Sequence, residues 1–346
     1  MHLVEAVVRG SRLLAAKATD RAVPFHVSVY PTARCNLRCV YCSSPHEACV
    51  ELSTSEWCTI FNELRALGTE RLAFLGGEPL VRNDLDALVA HARQLGLTCT
   101  LTTNGTFVTD RPEVIRQLDT LVVSLDGDAA AHDRHRGAGS HADAIRGIRA
   151  ARAWGIPVKI NAVLSRENAD GLHALLAFCT EQRLPVTINL MRSEPNGLWH
   201  EAASHRLADD EVRRLVDSVI EARRTNPWVV FSAATYRVTR QWPDFSRDRL
   251  TVAEVGDRFP GPRCSAGRFH VAIRADGAVY PCPTVFGQVP AVNARDAGVA
   301  CAVEAARHHC CATCFSPCMI EHNALFALNP VVVAGLLRVY LAQRLA

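Results

Sequence analysis

Apolar side chains recur along this chain with two alternating periods, every second residue over short stretches and every third or fourth over longer ones. The first period belongs to strands with a buried face, the second to helices with a buried stripe. Phe25 to Tyr30 alternates apolar and polar residues and predicts a first strand. Ser53-Thr-Ser-Glu56 has the form of a capping box, opening a helix that runs through Leu67 and stops at Gly68. The pattern then repeats, with a strand at Arg71 to Leu75, a helix at Asp84 to Leu95 and a strand at Thr98 to Thr103. A short helix at Pro112 to Leu118 leads to a strand at Leu121 to Leu125 and a helix at Asp143 to Trp154. A strand at Val158 to Leu164, a helix at Ala169 to Leu184, a strand at Val186 to Leu190 and a helix at Asp209 to Arg224 close the series. Such alternation implies parallel strands joined by right-handed crossovers. Six units predict an α/β fold, a partial (β/α)6 TIM-type barrel over residues 25–225, with ligand-binding groups at the carboxyl ends of the strands.

The flanks read differently. Residues 1–24 place Leu3, Val7, Leu13 and Leu14 beside basic residues, which predicts an amphipathic helix packed on the body or lying against anionic lipid. After residue 225 the alternation fails, and Pro227, Pro243, Pro260 and Pro262 mark an expected linker over 226–263. Within 264–320, His270 to Ile273, the turn Ala275-Asp276-Gly277 and Val279-Tyr280 read as a β-hairpin ahead of a short helical stretch. The tail from 321 to 346 reads as a second amphipathic helix, with Val332, Leu336, Val339, Tyr340 and Leu345 among polar residues.

A chain of 346 residues suits one large domain with a smaller appendage. Its net charge of +3 gives no sign of a nucleic-acid partner, although only Lys17 and Lys159 among 38 basic residues are lysine. No apolar run reaches the roughly 18 residues of a membrane span. No signal peptide is visible in the charged first twenty residues, so the expected setting is the cytoplasm, where the 14 cysteines serve as thiolate ligands rather than disulfides.

Three of those cysteines, Cys35, Cys39 and Cys42, fall within eight residues directly after the first strand, with Tyr41 before the last. Four thiolates ordinarily hold a [4Fe-4S] cluster, so a tight trio leaves one iron open to an exogenous ligand. The strand ends carry matching chemistry. Strand two runs into Gly76-Gly77-Glu78-Pro79, where paired glycines allow a close backbone approach to a ligand. Strand three ends in Thr102-Thr103-Asn104-Gly105 and strand four in Ser124-Leu125-Asp126-Gly127, with Arg136 soon after and Asn161 on strand five. A second set follows in Cys264, Cys282, Cys301, Cys310, Cys311, Cys314 and Cys318, in which a hairpin flanked by cysteines precedes a Cys-x-x-Cys. Four of these can hold zinc or an iron-sulfur cluster. Cys49, Cys58, Cys99 and Cys179 have no ligand spacing and read as small apolar residues, and the pair His308-His309 as solvated.

The cysteine spacing, with the strand-end motifs in register behind it, resembles the radical S-adenosylmethionine (SAM) superfamily over roughly residues 25–320. The resemblance implies an open iron that chelates the amino and carboxylate groups of SAM. It identifies Gly76, Gly77, Glu78 and Pro79 as the segment at the methionine amino group, with Ser124 and Arg136 near its carboxylate and Asn161 at the ribose. Tyr41, Asn104 and Asp126 complete the implied cofactor-binding set. The second cysteine system resembles the auxiliary-cluster extension of this superfamily, closer to the short twitch form than to the longer SPASM form. Cys264, Cys282, Cys311 and Cys314 are the preferred ligands of an auxiliary [4Fe-4S] cluster, with Cys310 or Cys318 as replacements for one of the last two.

The implied chemistry is reductive cleavage of SAM to a 5′-deoxyadenosyl radical, which abstracts hydrogen from an unactivated carbon. A reducing partner such as flavodoxin or ferredoxin supplies the electron. The auxiliary cluster, as an electron acceptor, points to an oxidative modification. Because about 24 residues precede the first strand, the expected substrate is a small molecule, lipid-like compound or natural product, with peripheral membrane contact as one way to reach it. The alternatives are a maturase acting on a ribosomal peptide or protein, and a non-catalytic iron-sulfur electron carrier. No residue is assigned to the hydrogen transfer itself.

Overall fold

The computed structural model describes residues 3–43, 49–194, 196, 202–255, 261–309 and 311–345. Six strands follow the predicted series: β1 (His26–Val29), β2 (Arg71–Phe74), β3 (Thr98–Thr103), β4 (Thr120–Ser124), β5 (Val158–Leu164) and β6 (Val186–Leu190). Each pairs in parallel with the next. The helix Thr54–Leu67 starts as expected, with Ser53 and Glu56 capping each other reciprocally and Gly68 ending it in the left-handed region. An unpredicted helix, Ala129–Arg136, intervenes after β4, capped by Asp128 and delivering Arg136 at its last turn.

Two features depart from the sequence reading. The stretch expected as a linker contains the helix Ala233–Arg240 and the short strand β7 (Arg249–Thr251). Pro227 and Pro243 bracket that helix rather than interrupt it, and Ser232 caps it. The expected hairpin, β8 (His270–Ile273) and β9 (Ala278–Tyr280), also joins the barrel sheet, because β8 pairs in parallel with β1. With β10 (Val292–Asn293), the order is β10-β9-β8-β1-β2-β3-β4-β5-β6. A final strand, β11 (Cys311–Cys314), pairs with β7 in a separate ribbon.

The sheet ends at β6 on one side and β10 on the other, and the helix Pro317–Phe326 contacts both β6 and β1. The Cys318 amide donates to Asn189 Oδ1 on β6 at 3.3 Å, and the His322 ring stands 5.2 Å from His26 on β1. The N-terminal helix Leu3–Ala18 packs on the body, where the Lys17 ammonium donates to the Phe326 carbonyl at 3.0 Å. The last helix, Pro330–Leu345, is less amphipathic than expected, since it buries Val332 and Val339 yet exposes Val331, Leu337 and Leu341. No single helix among the described residues is long and apolar enough to cross a membrane.

The main core lies outside the barrel wall. Val27, Leu72, Phe74, Leu101, Leu121 and Ile160 face outward and are buried against Trp57, Phe61, Leu64 and Leu88 of the surrounding helices. Beyond the ends of β1 and β2 the backbone ladder continues: Gly77 N–H donates to Thr32 O at 3.0 Å and Glu78 N–H to Arg34 O at 2.9 Å. This contact leaves no room for side chains, since a Cβ on Gly77 would lie 2.2 Å from Arg34 O and one on Gly76 2.5 Å from Thr32 O. The glycine pair thus serves a chain-to-chain approach, whereas the sequence alone pointed to ligand approach. Arg82 braces the same turn, donating to the carbonyls of Pro31 and Leu52 at 2.8 and 2.9 Å. Gly77→Ala is expected to cost about 2 kcal/mol or more of stability, read as a lowered urea midpoint. An unchanged midpoint would mean that the ladder yields without cost.

Candidate active site

The ladder carries the chain from β1 into the cysteine loop. A turn closes at Cys42 N–H to Cys39 O, 3.0 Å, and Val40 N–H donates to the His135 carbonyl at 3.2 Å. The Tyr41 ring stacks on His135 at 4.5 Å. Asn36 links the loop to the end of β3, accepting from Asn104 Nδ2 at 2.8 Å and donating to Thr106 at 3.1 Å. Burial raises Cys35 to about 12 and Cys39 to about 11, so any metal ion bound through their sulfurs would displace protons.

Cys35, Cys39 and Cys42 share one cavity of about 200 Å³ with Tyr41, Gly76, Gly77, Asn104, Ser124, Arg136 and Asn161. Ten of the residues singled out in the sequence are therefore brought together. Three others stand behind the wall. Glu78 is fully buried, accepting from the amides of Leu80 and Asn104 and from the Thr103 hydroxyl at 2.8–3.1 Å. Pro79 opens the short 3-10 helix that Glu78 caps. Asp126 is also fully buried and receives the Arg136 guanidinium at 2.5 Å, His135 Nδ1 at 2.8 Å and the Val163 amide at 2.9 Å. Burial opposes its ionisation, but Arg136 and His135 outweigh that and hold the carboxyl well below its usual range. Asp126 therefore aims Arg136 into the cavity.

The sequence reading missed several contributors. His135 and His132 belong to the Asp126 network, with His132 Nδ1 accepting from the Asp126 amide at 3.0 Å. Tyr30, Leu75, Thr102 and Val163 also line the cavity. The alternation within β1 through β5 could have found them, because they are inward-facing positions at the strand ends.

Four thiols of the second set, Cys264, Cys282, Cys311 and Cys314, lie near one another. Cys264 N–H donates to Ala312 O at 2.7 Å, and the Cys264 and Cys311 thiols are hydrogen-bonded, which with burial pushes Cys311 up. A regular strand would turn Cys311 and Cys314 to opposite faces, but a register shift between Cys311 and Thr313 breaks that alternation. Cys282 and Cys314 each feel Cys311, and burial raises Cys314 to about 12. Arg192 is buried beside Cys314 and Cys282 and paired with Asp248 at 3.5 Å. Burial disfavours its charge, yet these neighbours hold its pKa above the ordinary value. Cys318 stands apart, with His322 Nδ1 at 4.0 Å and Lys159 among its electrostatic neighbours. Cys310 lies outside the described residues. Cys99 and Cys179 are buried in the core, Cys301 is exposed, and His309 bridges the Ala266 carbonyl and the Cys311 amide.

Among the described residues no three His, Cys, Asp or Glu side chains converge closely enough for a single metal ion.

The Radical SAM superfamily family model matches residues 29–179. A PqqA peptide cyclase of Streptomyces rochei is 34% identical over 250 residues, covering 68% of each chain. The chain belongs to the radical SAM superfamily. Another relative is the Fe-coproporphyrin III synthase of Methanosarcina barkeri, 32% identical over 56% of this chain and 50% of that protein. Among solved structures, Streptococcus suis SuiB bound to S-adenosylmethionine superposes with a TM-score of 0.63 at 19% identity, over 87% of this chain and 71% of SuiB. That likeness, at the level of the fold, is to a radical SAM partial barrel.

Glu78 gives this barrel a pH signature. Burial raises its carboxyl from an ordinary value near 4.5 to about 7, against the pull of its three donors. The folded protein therefore binds this proton more tightly than the unfolded chain. The stability so gained is fully present below the unfolded value and is lost as pH rises toward 7. Across that window the unfolding free energy of the wild type is expected to fall by up to about 3 kcal/mol relative to Glu78→Gln. Parallel pH profiles in urea unfolding would refute the raised carboxyl.

Proposed function

We propose that this protein is a radical SAM enzyme that oxidatively modifies a peptide substrate, with Cys264, Cys282, Cys311 and Cys314 holding an auxiliary [4Fe-4S] cluster. The peptide reading is carried by the likeness to the PqqA peptide cyclase. Further support comes from a second such cyclase, of Xanthomonas euvesicatoria, and from a SuiB structure bound to its precursor peptide SuiA. It replaces the small-molecule or lipid-like expectation, which leaned on the few residues ahead of β1. The Fe-coproporphyrin III synthase favours a tetrapyrrole-like substrate as the second reading.

In this reading Cys35, Cys39 and Cys42 hold the first cluster at the mouth of the barrel. When bound, that cluster supplies the electron that splits SAM and yields the hydrogen-abstracting 5′-deoxyadenosyl radical. Arg136, fixed by Asp126, meets the carboxylate of SAM in a charge-assisted pairing. Gly76 and Gly77 present backbone beside the amino group, and Ser124, Asn104 and Asn161 offer hydrogen-bonding groups along the cavity. The apolar faces of Leu75 and Val163 keep water from the reacting carbon. Arg192 places positive charge beside Cys282 and Cys314, which stabilises the reduced form of an auxiliary cluster there and suits it to accept an electron from the substrate.

The test is anaerobic 5′-deoxyadenosine formation by the reconstituted, reduced protein, with peptide, polar and lipid fractions supplied separately. The peptide fraction is expected to stimulate cleavage. Stimulation by the polar or lipid fraction alone would overturn the peptide reading. Cys39→Ser is expected to abolish cleavage. Cys282→Ser is expected to lower bound iron by about four per chain, whereas Cys318→Ser leaves it unchanged. Equal iron loss in the last two would overturn the ligand assignment.

A further inference from the structure

The interior of a closed eight-stranded barrel is ordinarily packed solid. On β3 and β5 the inward positions are the more exposed ones, whereas inward Ser28 on β1 and His270 on β8 are buried. Thr98, Thr100, Lys159 and Asn161 are each partly exposed, while their outward neighbours Cys99, Leu101, Val158 and Ile160 are buried. The inward face of β5 runs down from the cofactor cavity, since Asn161 lines that cavity and Lys159 lies two residues below it on the same face.

The floor of this space is cationic. Strand register sets His270, His26 and Arg71 side by side across β8, β1 and β2. The closing helix adds His322, whose ring is 6.2 Å from that of His270. Burial, with Arg71 and Lys159 nearby, lowers His322 to about 4, so the imidazole is neutral at ordinary pH. Lys159 makes no hydrogen bond or ion pair among the described residues, and its ammonium rests 5.9 Å from the Phe231 ring centroid. A carboxylate among its electrostatic neighbours, Glu321, is 2% exposed and already accepts from the Ser232 amide and hydroxyl and the Thr235 hydroxyl. An enclosed ammonium without a partner is costly, and an anion arriving from outside relieves that cost. A metal cation does not fit, since Arg71 and Lys159 repel it and no three ligands converge.

We propose that the lumen floor receives the carboxylate of an acidic residue in the substrate peptide, with Lys159 as its counter-ion and His26 and His322 as its polar wall. This rests on the peptide reading above and specifies it. Two residues along a strand span about 6.6 Å. A carboxylate held at Lys159 therefore leaves the carbons of its own side chain and backbone at the level of Asn161, at the cavity.

The chain's two lysines give a direct test, because Lys17, exposed on the N-terminal helix, serves as an internal reference. The anaerobically reconstituted protein is amidinated with methyl acetimidate, and modification at each lysine is followed by peptide mass spectrometry. Acetyl-Ala-Glu-Ala-amide at saturation is expected to slow labelling of Lys159 relative to Lys17 about tenfold, and acetyl-Ala-Gln-Ala-amide to leave it unchanged. Equal protection by both peptides, protection by neither, protection by free glutarate alone, or a Lys159 that never labels would each overturn the proposal. SAM cleavage measured on the same sample keeps the two claims apart. Failure of peptide fractions to stimulate cleavage bears on the peptide reading, and failure of the acidic peptide to protect Lys159 bears on the lumen floor alone.

Discussion

The site depends on one backbone contact, the continuation of the β1–β2 ladder through Thr32, Arg34, Gly77 and Glu78. Two bare peptide planes hold the cysteine loop against the end of β2, and everything with chemistry is referenced to that junction. Glu51 tightens it from one side, accepting from the Thr32 hydroxyl at 2.5 Å and the Ala33 amide at 3.2 Å. Glu78 tightens it from the other by gripping Thr103 and the Asn104 amide, while Asn104 in turn holds Asn36 of the loop. A displacement at the junction thus reaches the thiols and the end of β3 together. That coupling explains why acidic residues near a ligand cavity are buried beneath its wall and spent on structure.

Much of this was readable in the sequence, for definite reasons. The period-two stretches fixed β1 through β6 because each has one face pressed on helices, and Ser53 and Glu56 announced their helix through local hydrogen bonding. The cysteine trio stood out by its spacing, the strand-end residues because strand ends on one side of a parallel barrel converge, and the resemblance implied the cofactor-binding set. Glu78 and Asp126 lie behind the cavity wall because alternation lapses once a strand ends. Ser124 closes β4 facing the cavity, but Asp126, two residues on, turns beneath it.

What the pattern did not hold was partnership. Nothing in His270 to Ile273 says that it pairs with β1, since register between distant strands is set by packing that only the folded chain creates. The placement of Cys318 was equally hidden, because its helix turns it toward Asn189 and His322 while Cys264, Cys282 and Cys314 lie near Cys311. Lys159 stood out only as one of two lysines, and its place on the inward face of β5, two residues below Asn161, is visible only in the folded chain.

The pairing of β8 with β1 also bears on how the molecule is made. On the ribosome, β1 emerges long before residue 270, so one of its edges has no partner for most of synthesis. An unpaired strand edge is an invitation to wrong pairing, and the thiols of the cysteine loop lie only a few residues beyond it. Closing that edge brings together segments more than 240 residues apart, a late and slow event by the logic of chain topology. Guarding β1 until then falls to whatever meets the nascent chain, which gives a chaperone a reason to hold this protein before any iron reaches it.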